Sequence, residues 1–496
     1  MCKSKKIGTI IFTILFLFGI KSHTLLAQKS ENKNTISIEA TVLDKGTKEP
    51  LPFTNVIIEG TSIGTITNEK GEFELTLTKN YSTNTVIFSF VGYQNTAIPV
   101  KQFKNPEKLI YLETASTSLE EIVVTVKNKY KELVDEAITL IPKNYAQEPV
   151  NLEAYYRELT KIDNTYTKFS DAASSIYYSP YDNTFDALLS KTDYQRFNRL
   201  EFEMKKVPYP EPQDFVADSK DRTKIIALRR SNNLQDYKIM EQSKKLKTID
   251  TADLKWLENN EIGGGPLRLT GADKVKRKED FLDPKTIDNY LFTLYGRSIY
   301  NDKPVYIISF APKDSTSVKA KYKGEITIDE KSKAIIRYQY QLTSLAKKKL
   351  NQKFGTQLKT PLPVEKETKK AFITRTTSLT DYKVFVSFSN YKNKWYLKRI
   401  KAINEYQNTG DLFENYTATT ESELIVTTVK TENIDYFSVK EQFDSTFSNA
   451  LFNHNLLYSP DFWKNYSTLV PTGIVGKALE DLGAKISLEE QFQEKK

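Results

Sequence analysis

From Ile36 onward the chain is written in short alternating runs. Ile36, Ile38, Ala40 and Val42 alternate with Ser37, Glu39 and Thr41, and Phe73, Leu75 and Leu77 repeat the period inside "EFELTL". Successive side chains of a strand point to opposite faces, so a period of two spells strands with one buried side. The runs are cut by "EPLP", "EGTSIG" and "NEKG", where proline and glycine make corners and Gly71 can take a positive φ at no steric cost. Phe53–Ile58, Thr65–Thr67, "TVIFSFVGY", Lys108–Glu113 and Glu120–Val126 continue the series. Six or seven short strands within about 90 residues read as a β-sandwich. Aromatic residues make up 12% of the chain, and their preference for strands extends a mainly β reading to the rest of it.

The same stretch carries a resemblance. "VLDKGTKEPLPFTNVIIEGTSIGTITNEKGEFEL", followed by "VIFSFVGY", resembles the carboxypeptidase-like regulatory domain, a prealbumin-like sandwich common in envelope proteins of Bacteroidota. Asp44, Pro50, Leu51, Val56, Gly60, Thr61, Gly64, Thr67, Gly71, Phe73, Gly92 and Tyr93 stand at that family's positions. Ala40 replaces its early glycine, Thr54-Asn55 its Gly-Ala, and Asn68 its aspartate. Those family positions are structural, so the departures imply no lost chemistry. "SLEEIVVT" resembles the segment that links this domain to the plug of TonB-dependent receptors, although no plug or barrel-length strand series follows.

The N-terminus has the layout of a secretory signal peptide: "MCKSKK" is basic, Ile7–Ile20 is an apolar run of 14 residues, and Ala27 offers a small residue before Gln28. The rival reading is a membrane anchor, for which about 20 apolar residues are needed. Cleavage after Ala27 removes four lysines and no acid, which lowers the formal charge from +9 to +5. A mild, interspersed positive charge does not point to nucleic acid. The single cysteine, Cys2, leaves with the leader, so the exported form is expected to hold no disulfide and no thiolate metal site.

After Val126 the period changes. Tyr130, Leu133, Val134, Ala137, Ile138 and Ile141 mark one face of a helix over Lys127–Ile141, stopped by Pro142 and joining two domains. From about Glu153 strands return: Tyr290–Tyr300, Pro304–Pro312, Ala320–Asp329, Ala334–Leu342, Tyr382–Tyr391, Lys394–Tyr406 and Glu414–Val429. Hairpin-sized links such as "DEKSK" and "KNK" make these an antiparallel meander. Asp214–Met240 and Glu441–Leu451 read as helical or mixed, and "PEPQD" and "TPLPVEKETKK" as loops. The meander with its "GEITIDEKSKAIIRYQYQ" hairpin resembles the curved sheet of LolA-type lipoprotein carriers, and "YSPDFWKNYSTLVPTG" resembles the tails of other Bacteroidota proteins that begin with this regulatory domain. The expected organisation is a signal peptide at 1–27, the regulatory sandwich at 35–126, a helical linker at 127–150, an antiparallel β domain with helices at 151–455 and a tail at 456–496.

No motif names a reaction. His454 is the one histidine of the exported form, so a His-based zinc site cannot be built, a Ser-His-Asp triad would need His454 as its only base, and no G-x-S-x-G elbow occurs. Ser344–Lys347 satisfies S-x-x-K without its S-D-N and K-T-G companions. "TGIVGKA" carries Ala478 where a phosphate loop needs Ser or Thr, and Ile262–Pro266 reads as a flexible glycine-rich loop. Glu120-Glu121 and Asp329-Glu330 are adjacent acids, the second pair in an expected hairpin turn with solvated side chains. Asp44 and Asn68 raise calcium, but no D-x-D-x-D-G loop is present. Trp256, Trp395, Trp463, Tyr155-Tyr156 and Tyr177-Tyr178 could stack sugars or line a cavity, against the plainer reading that they fill the sheet.

No catalytic, cofactor-binding or metal-binding residue and no cofactor is therefore assigned. The sequence points to a non-catalytic exported envelope protein, in the periplasm or on the periplasmic face of the outer membrane. It would bind an outer-membrane or periplasmic protein, or lipid, with no nucleic acid and no transmembrane segment after cleavage. The alternatives are a LolA-like carrier of lipid or lipoprotein and a carboxylate-based hydrolase of peptides or glycans.

Overall fold

The computed structural model describes residues 34–103, 108–115, 129–181, 221–232, 265–354, 356–361, 372–410, 415–438, 441–443, 451, 454, 456–466, 473–483 and 488–493. Glu120–Val126, Trp256 and most of Asp214–Met240 lie outside these residues.

The first module is a β-sandwich. β1 (Thr35–Asp44), β4 (Glu72–Thr78) and β7 (Leu109–Leu112) form one sheet in the order β4–β1–β7, with β7 parallel to β1. β2 (Asn55–Ile58), β3 (Gly64–Ile66), β5 (Thr85–Ser89) and β6 (Thr96–Pro99) form the other, in the order β3–β2–β5–β6. The alternating apolar residues meet between the sheets: Ile38, Val42, Phe73, Leu75 and Leu112 from the first pack on Val56, Ile58, Val86 and Phe88 from the second. Gly71 is required at its corner, since its φ is +74° and a Cβ there would stand 2.3 Å from the Val42 carbonyl oxygen.

The second module is built on one large antiparallel sheet. Its strands are β8 (Val150–Ile162), β9 (Thr165–Tyr178), β10 (Arg222–Asn232), β11 (Tyr290–Tyr300), β12 (Lys303–Pro312), β13 (Tyr322–Asp329), β14 (Ile335–Leu342), β15 (Thr356–Pro361), β16 (Phe372–Tyr391), β17 (Lys394–Gly410) and β18 (Tyr416–Lys430). The order is β10–β9–β8–β18–β17–β16–β14–β13–β12–β11, with β15 extending the ladder of β16. The expected meander runs from β11 to β18. The hairpins β8–β9–β10 then join it through β8 against β18, a pairing between strands at opposite ends of the module.

The apolar face of the sheet carries Leu152, Ala154, Tyr156, Leu424, Val426, Ile400, Val386, Phe388, Tyr338, Tyr340, Ile326, Ile308, Phe310, Tyr290 and Phe292. It is covered by α1 (Lys129–Thr139), α2 (Ile141–Asn144), α3 (Gly265–Thr270), α4 (Lys274–Arg277) and the turns that bring in Phe281, Leu282 and Ile287. The described residues fill this face: Phe281 stacks on Phe310 at 4.1 Å between ring centres, and Tyr145 meets Phe388 edge-on at 5.3 Å. The opposite face is covered by the sandwich and by α6 (Pro460–Asn465), α7 (Gly473–Gly483) and α8 (Leu488–Gln493). Among the described residues no helix is long and apolar enough to cross a membrane.

Four local expectations are corrected. Arg222–Asn232, within a stretch expected to be helical or mixed, is strand β10, because pairing with β9 satisfies its backbone and buries Ile225 and Leu228. Gly265 and Pro266 open a helix rather than extend a loop; a first-turn proline forfeits no helical hydrogen bond. Thr360 and Pro361, expected in a loop, end strand β15. The helix from Lys129 ends at Thr139, and Pro142 sits in the first turn of α2 instead of terminating what precedes it.

Candidate functional site

The polar face of the large sheet is where charge concentrates. Successive Cα partners across β10, β9, β8, β18 and β17 read Arg229, Asp171, Arg157, Glu423 and Lys401, so the signs alternate along one row. Asp171 is fully buried and accepts from Arg157 Nε at 2.8 Å and Nη2 at 3.1 Å, from Arg229 Nη2 at 2.7 Å and from the Tyr155 hydroxyl at 2.7 Å. Burial pushes its carboxyl up, but the two guanidiniums outweigh burial and hold it below the usual carboxylate range. Glu423 accepts from Arg399 Nε at 2.6 Å and is lowered in the same way. Trp463 of α6 lies 4.7 Å over the Arg229 guanidinium.

The sandwich is docked on this face. Phe53 presents its ring 3.8 Å from the Arg399 guanidinium, from a backbone with φ +62°, a left-handed conformation that is strained for a bulky side chain. Glu69 pairs with Lys401 at 3.1 Å. Asn55 Nδ2 donates to the Tyr300 hydroxyl at 2.6 Å, and both residues are buried. Ser62 Oγ donates to the Val429 carbonyl at 2.9 Å and accepts from its N–H at 3.0 Å. Gly92 N–H donates to the Ile299 carbonyl at 2.8 Å.

Several donors in this seam have no acceptor among the described residues: Arg157 Nη1, Arg399 Nη2 and the Trp463 indole N–H. Arg337 lies on the same face, two strands from Arg399, and among the described residues makes one hydrogen bond, Nε to Thr327 Oγ1 at 3.3 Å. Lys398 sits at a bulge of β17, 1% exposed, and its ammonium donates to the Val426 carbonyl at 2.7 Å. Burial draws its amine down to about 7.

A second polar cluster lies inside the apolar face. Asp273 caps α4 by accepting from the N–H groups of Val275 and Lys276, each at 3.1 Å, and accepts the hydroxyls of Tyr178 at 2.7 Å and Tyr181 at 2.9 Å. Lys276 pairs with Asp221 at 2.7 Å and lies over the Tyr178 ring. These groups are sealed from solvent and order the segment that covers the core.

The residues singled out in the sequence take structural places. His454 packs against Phe443, its Nδ1 accepts the Leu456 N–H at 3.3 Å, and burial, then Arg230, lowers its basicity. Ser344 is exposed at the start of α5 (Ser344–Phe354), while Lys347 Nζ donates to the Thr380 carbonyl at 2.8 Å. Ala478 is buried in α7 against Leu159 and Phe169. Asp44 accepts the N–H groups of Gly46 and Thr47 and the Tyr93 hydroxyl, and Asn68 Oδ1 accepts those of Lys70 and Glu72, so each closes its own turn. Asp329, expected to be a solvated turn acid, is buried and caps its turn through Ser332, which corrects that reading. Trp395 stacks on Tyr300, Tyr155 and Tyr156 bond Asp171 and Glu158, and Tyr177 packs on Tyr436. Sequence reasoning missed Arg157, Asp171, Arg229, Arg337 and Lys398. A charge set among apolar neighbours, as in "EAYYRELT" and "KFSDAASS", was the available signal.

Residues 38–124 match the family model of the CarboxypepD_reg-like domain. The first module is a carboxypeptidase-regulatory-like domain. The match covers less than a fifth of the chain. A TonB-dependent receptor, P39 of Formosa agariphila, is 30% identical over 115 residues, which is 23% of this chain and 10% of the receptor. The chain thus spans about a tenth of the length of that curated relative. Among solved structures, a DUF1329 family protein from Desulfovibrio piger overlaps 63% of this chain and 98% of its own at 8% identity and a TM-score of 0.22. A protein of unknown function from Bacteroides fragilis overlaps 80% and 99% at 8% identity and a TM-score of 0.13. Overlaps this low carry no argument about the fold.

Proposed function

We propose that this is a non-catalytic envelope protein that captures a partner, with the regulatory-like domain as a docked part of the binding body. The observation that carries the reading is which side of the domain is used for docking. Its contacts to the large sheet include those of Phe53, Asn55, Ser62, Ile66, Glu69, Gly92 and Asn95, all on or beside the β3–β2–β5–β6 sheet. β7 takes no part in them. It is the outer strand of β4–β1–β7, with Leu109 51% and Tyr111 38% exposed. Among the described residues β7 has β1 as its one strand neighbour, and an outer strand with exposed apolar side chains is a template for strand addition.

The likeness to a TonB-dependent receptor and the signal-peptide layout of residues 1–27 support a place in the envelope. The filled apolar face favours a protein partner, periplasmic or in the outer membrane, over a lipid. The ionisable groups of the polar face are largely committed to one another, which favours binding over catalysis. A photo-crosslinking residue at Tyr111 in the exported protein should yield a discrete adduct with an envelope protein, weakened by Leu109→Asp. Adducts no more specific than those from exposed Val318 would refute the reading.

A further inference from the structure

Thr327, Arg337, Ser387 and Arg399 are successive Cα partners across β13, β14, β16 and β17. Neighbours in such a row share a face at about 5 Å spacing, so their side chains form one strip. The strip runs to the seam with the sandwich, where Phe53 lies on Arg399.

One buried donor of the strip, Arg399 Nη2, has no acceptor among the described residues, and Arg337 has no ion pair there. Arg157 and Arg229 meet Asp171, and Arg399 meets Glu423. Arg337, on the same face, meets no carboxylate among the described residues. Glu325, whose charge acts on Arg337, is bonded to Gln339 Nε2 at 2.8 Å. The Tyr300 hydroxyl beside Arg337 is taken by Asn55. Ser387 is half-buried and makes no side-chain hydrogen bond among the described residues. Arg399 is 7% exposed, and its Nη2 has no acceptor among the described residues. A guanidinium withdrawn from water without a counter-ion is costly, and a bidentate oxyanion is the group that best matches its planar fork.

We propose that the Thr327–Arg337–Ser387–Arg399 strip binds an oxyanion, a carboxylate or phosphate carried by a small solute or by a lipid headgroup. Arg337 supplies the charge and the fork, and the two hydroxyls complete the donor set. Desolvation outweighs the opposing Glu325 charge and draws Arg337 below the ordinary arginine range. Glu325, a like charge to the ligand, limits the site to weak binding, with Kd roughly millimolar.

The test titrates the full chain with inorganic phosphate and with acetate at constant ionic strength, by calorimetry. Wild type should saturate with at least one of them. Arg337→Gln should weaken that binding about tenfold, the loss of one charge-assisted contact. Lys323→Gln, an exposed cation on β13, should leave it unchanged. Should Arg337→Gln shift the melting temperature, Ser387→Ala gives the second reading, with an expected loss of two- to threefold, on the order of one neutral hydrogen bond. Sedimentation with phosphatidylglycerol vesicles, displaced by free phosphate, assigns the anion to a headgroup; free-anion binding without co-sedimentation assigns it to a solute. Absence of saturable binding by anion and vesicle alike, or binding equally strong in Arg337→Gln, overturns the proposal. Either result would leave partner capture at β7 untouched.

Discussion

Replacing Lys398 by methionine removes a charge that the fold has nowhere to put. The side chain is 1% exposed, its nitrogen has one acceptor, the Val426 carbonyl at 2.7 Å, and no carboxylate among the described residues comes within ion-pairing distance. Burial alone lowers the amine from 10.5 to about 7. That difference amounts to about 5 kcal/mol of stability foregone at neutral pH, as an order of magnitude. Because the folded-state value lies below the unfolded one, the full cost applies below about pH 7 and fades as the pH rises toward 10.5. Methionine keeps the stem and gives up one hydrogen bond of roughly 1 kcal/mol. The variant should therefore be more stable than wild type by several kcal/mol at pH 6 to 7, and the gap should narrow toward pH 10. Urea unfolding followed by tryptophan emission at several pH values reads this directly, since Trp395 lies on the same strand. Parallel stability profiles of the two proteins across that pH range would show that the amine is solvated or paired and would refute the reasoning.

Three further expectations follow from the same contacts. Asp171→Asn leaves Arg157 and Arg229 buried without their counter-charge and should cost about 3–5 kcal/mol in urea unfolding at pH 7. Since the Asp171 carboxyl is held below its ordinary value of 3.8, that contribution is present above this pH and lost as the pH falls below it, so wild type and variant should converge in acid. Gly71→Ala forces a Cβ to within 2.3 Å of the Val42 carbonyl at a positive φ, and should lower the melting temperature of the sandwich by several degrees, seen by calorimetry. Phe53→Ala removes the ring that covers Arg399 and should expose the seam, read as faster hydrogen exchange at the Val429 and Gly92 amides without a change at Val42.

What the sequence determined by itself was local. The alternation in "EFELTL" and "YQYQL" specifies a strand with one buried face wherever it occurs, and Gly71 marks a corner because of its own backbone freedom. The sandwich and the meander from β11 to β18 were legible for that reason. β10 was not, because "IIAL" suits a buried helix as well as a strand, and only the open edge of β9 decides between them. The polar face was not legible either. Arg157 and Asp171 belong to one hairpin, but Glu423 and Lys401 reach them only because β18 pairs with β8 in one register, and Arg337 faces Arg399 only because β14 and β17 flank β16. A shift of one residue in any of those pairings would send the charges to the apolar side. Long-range register, set by the joint burial of both faces, is therefore what tertiary structure alone decided, and it determines which arginine on the polar face has no ion pair among the described residues.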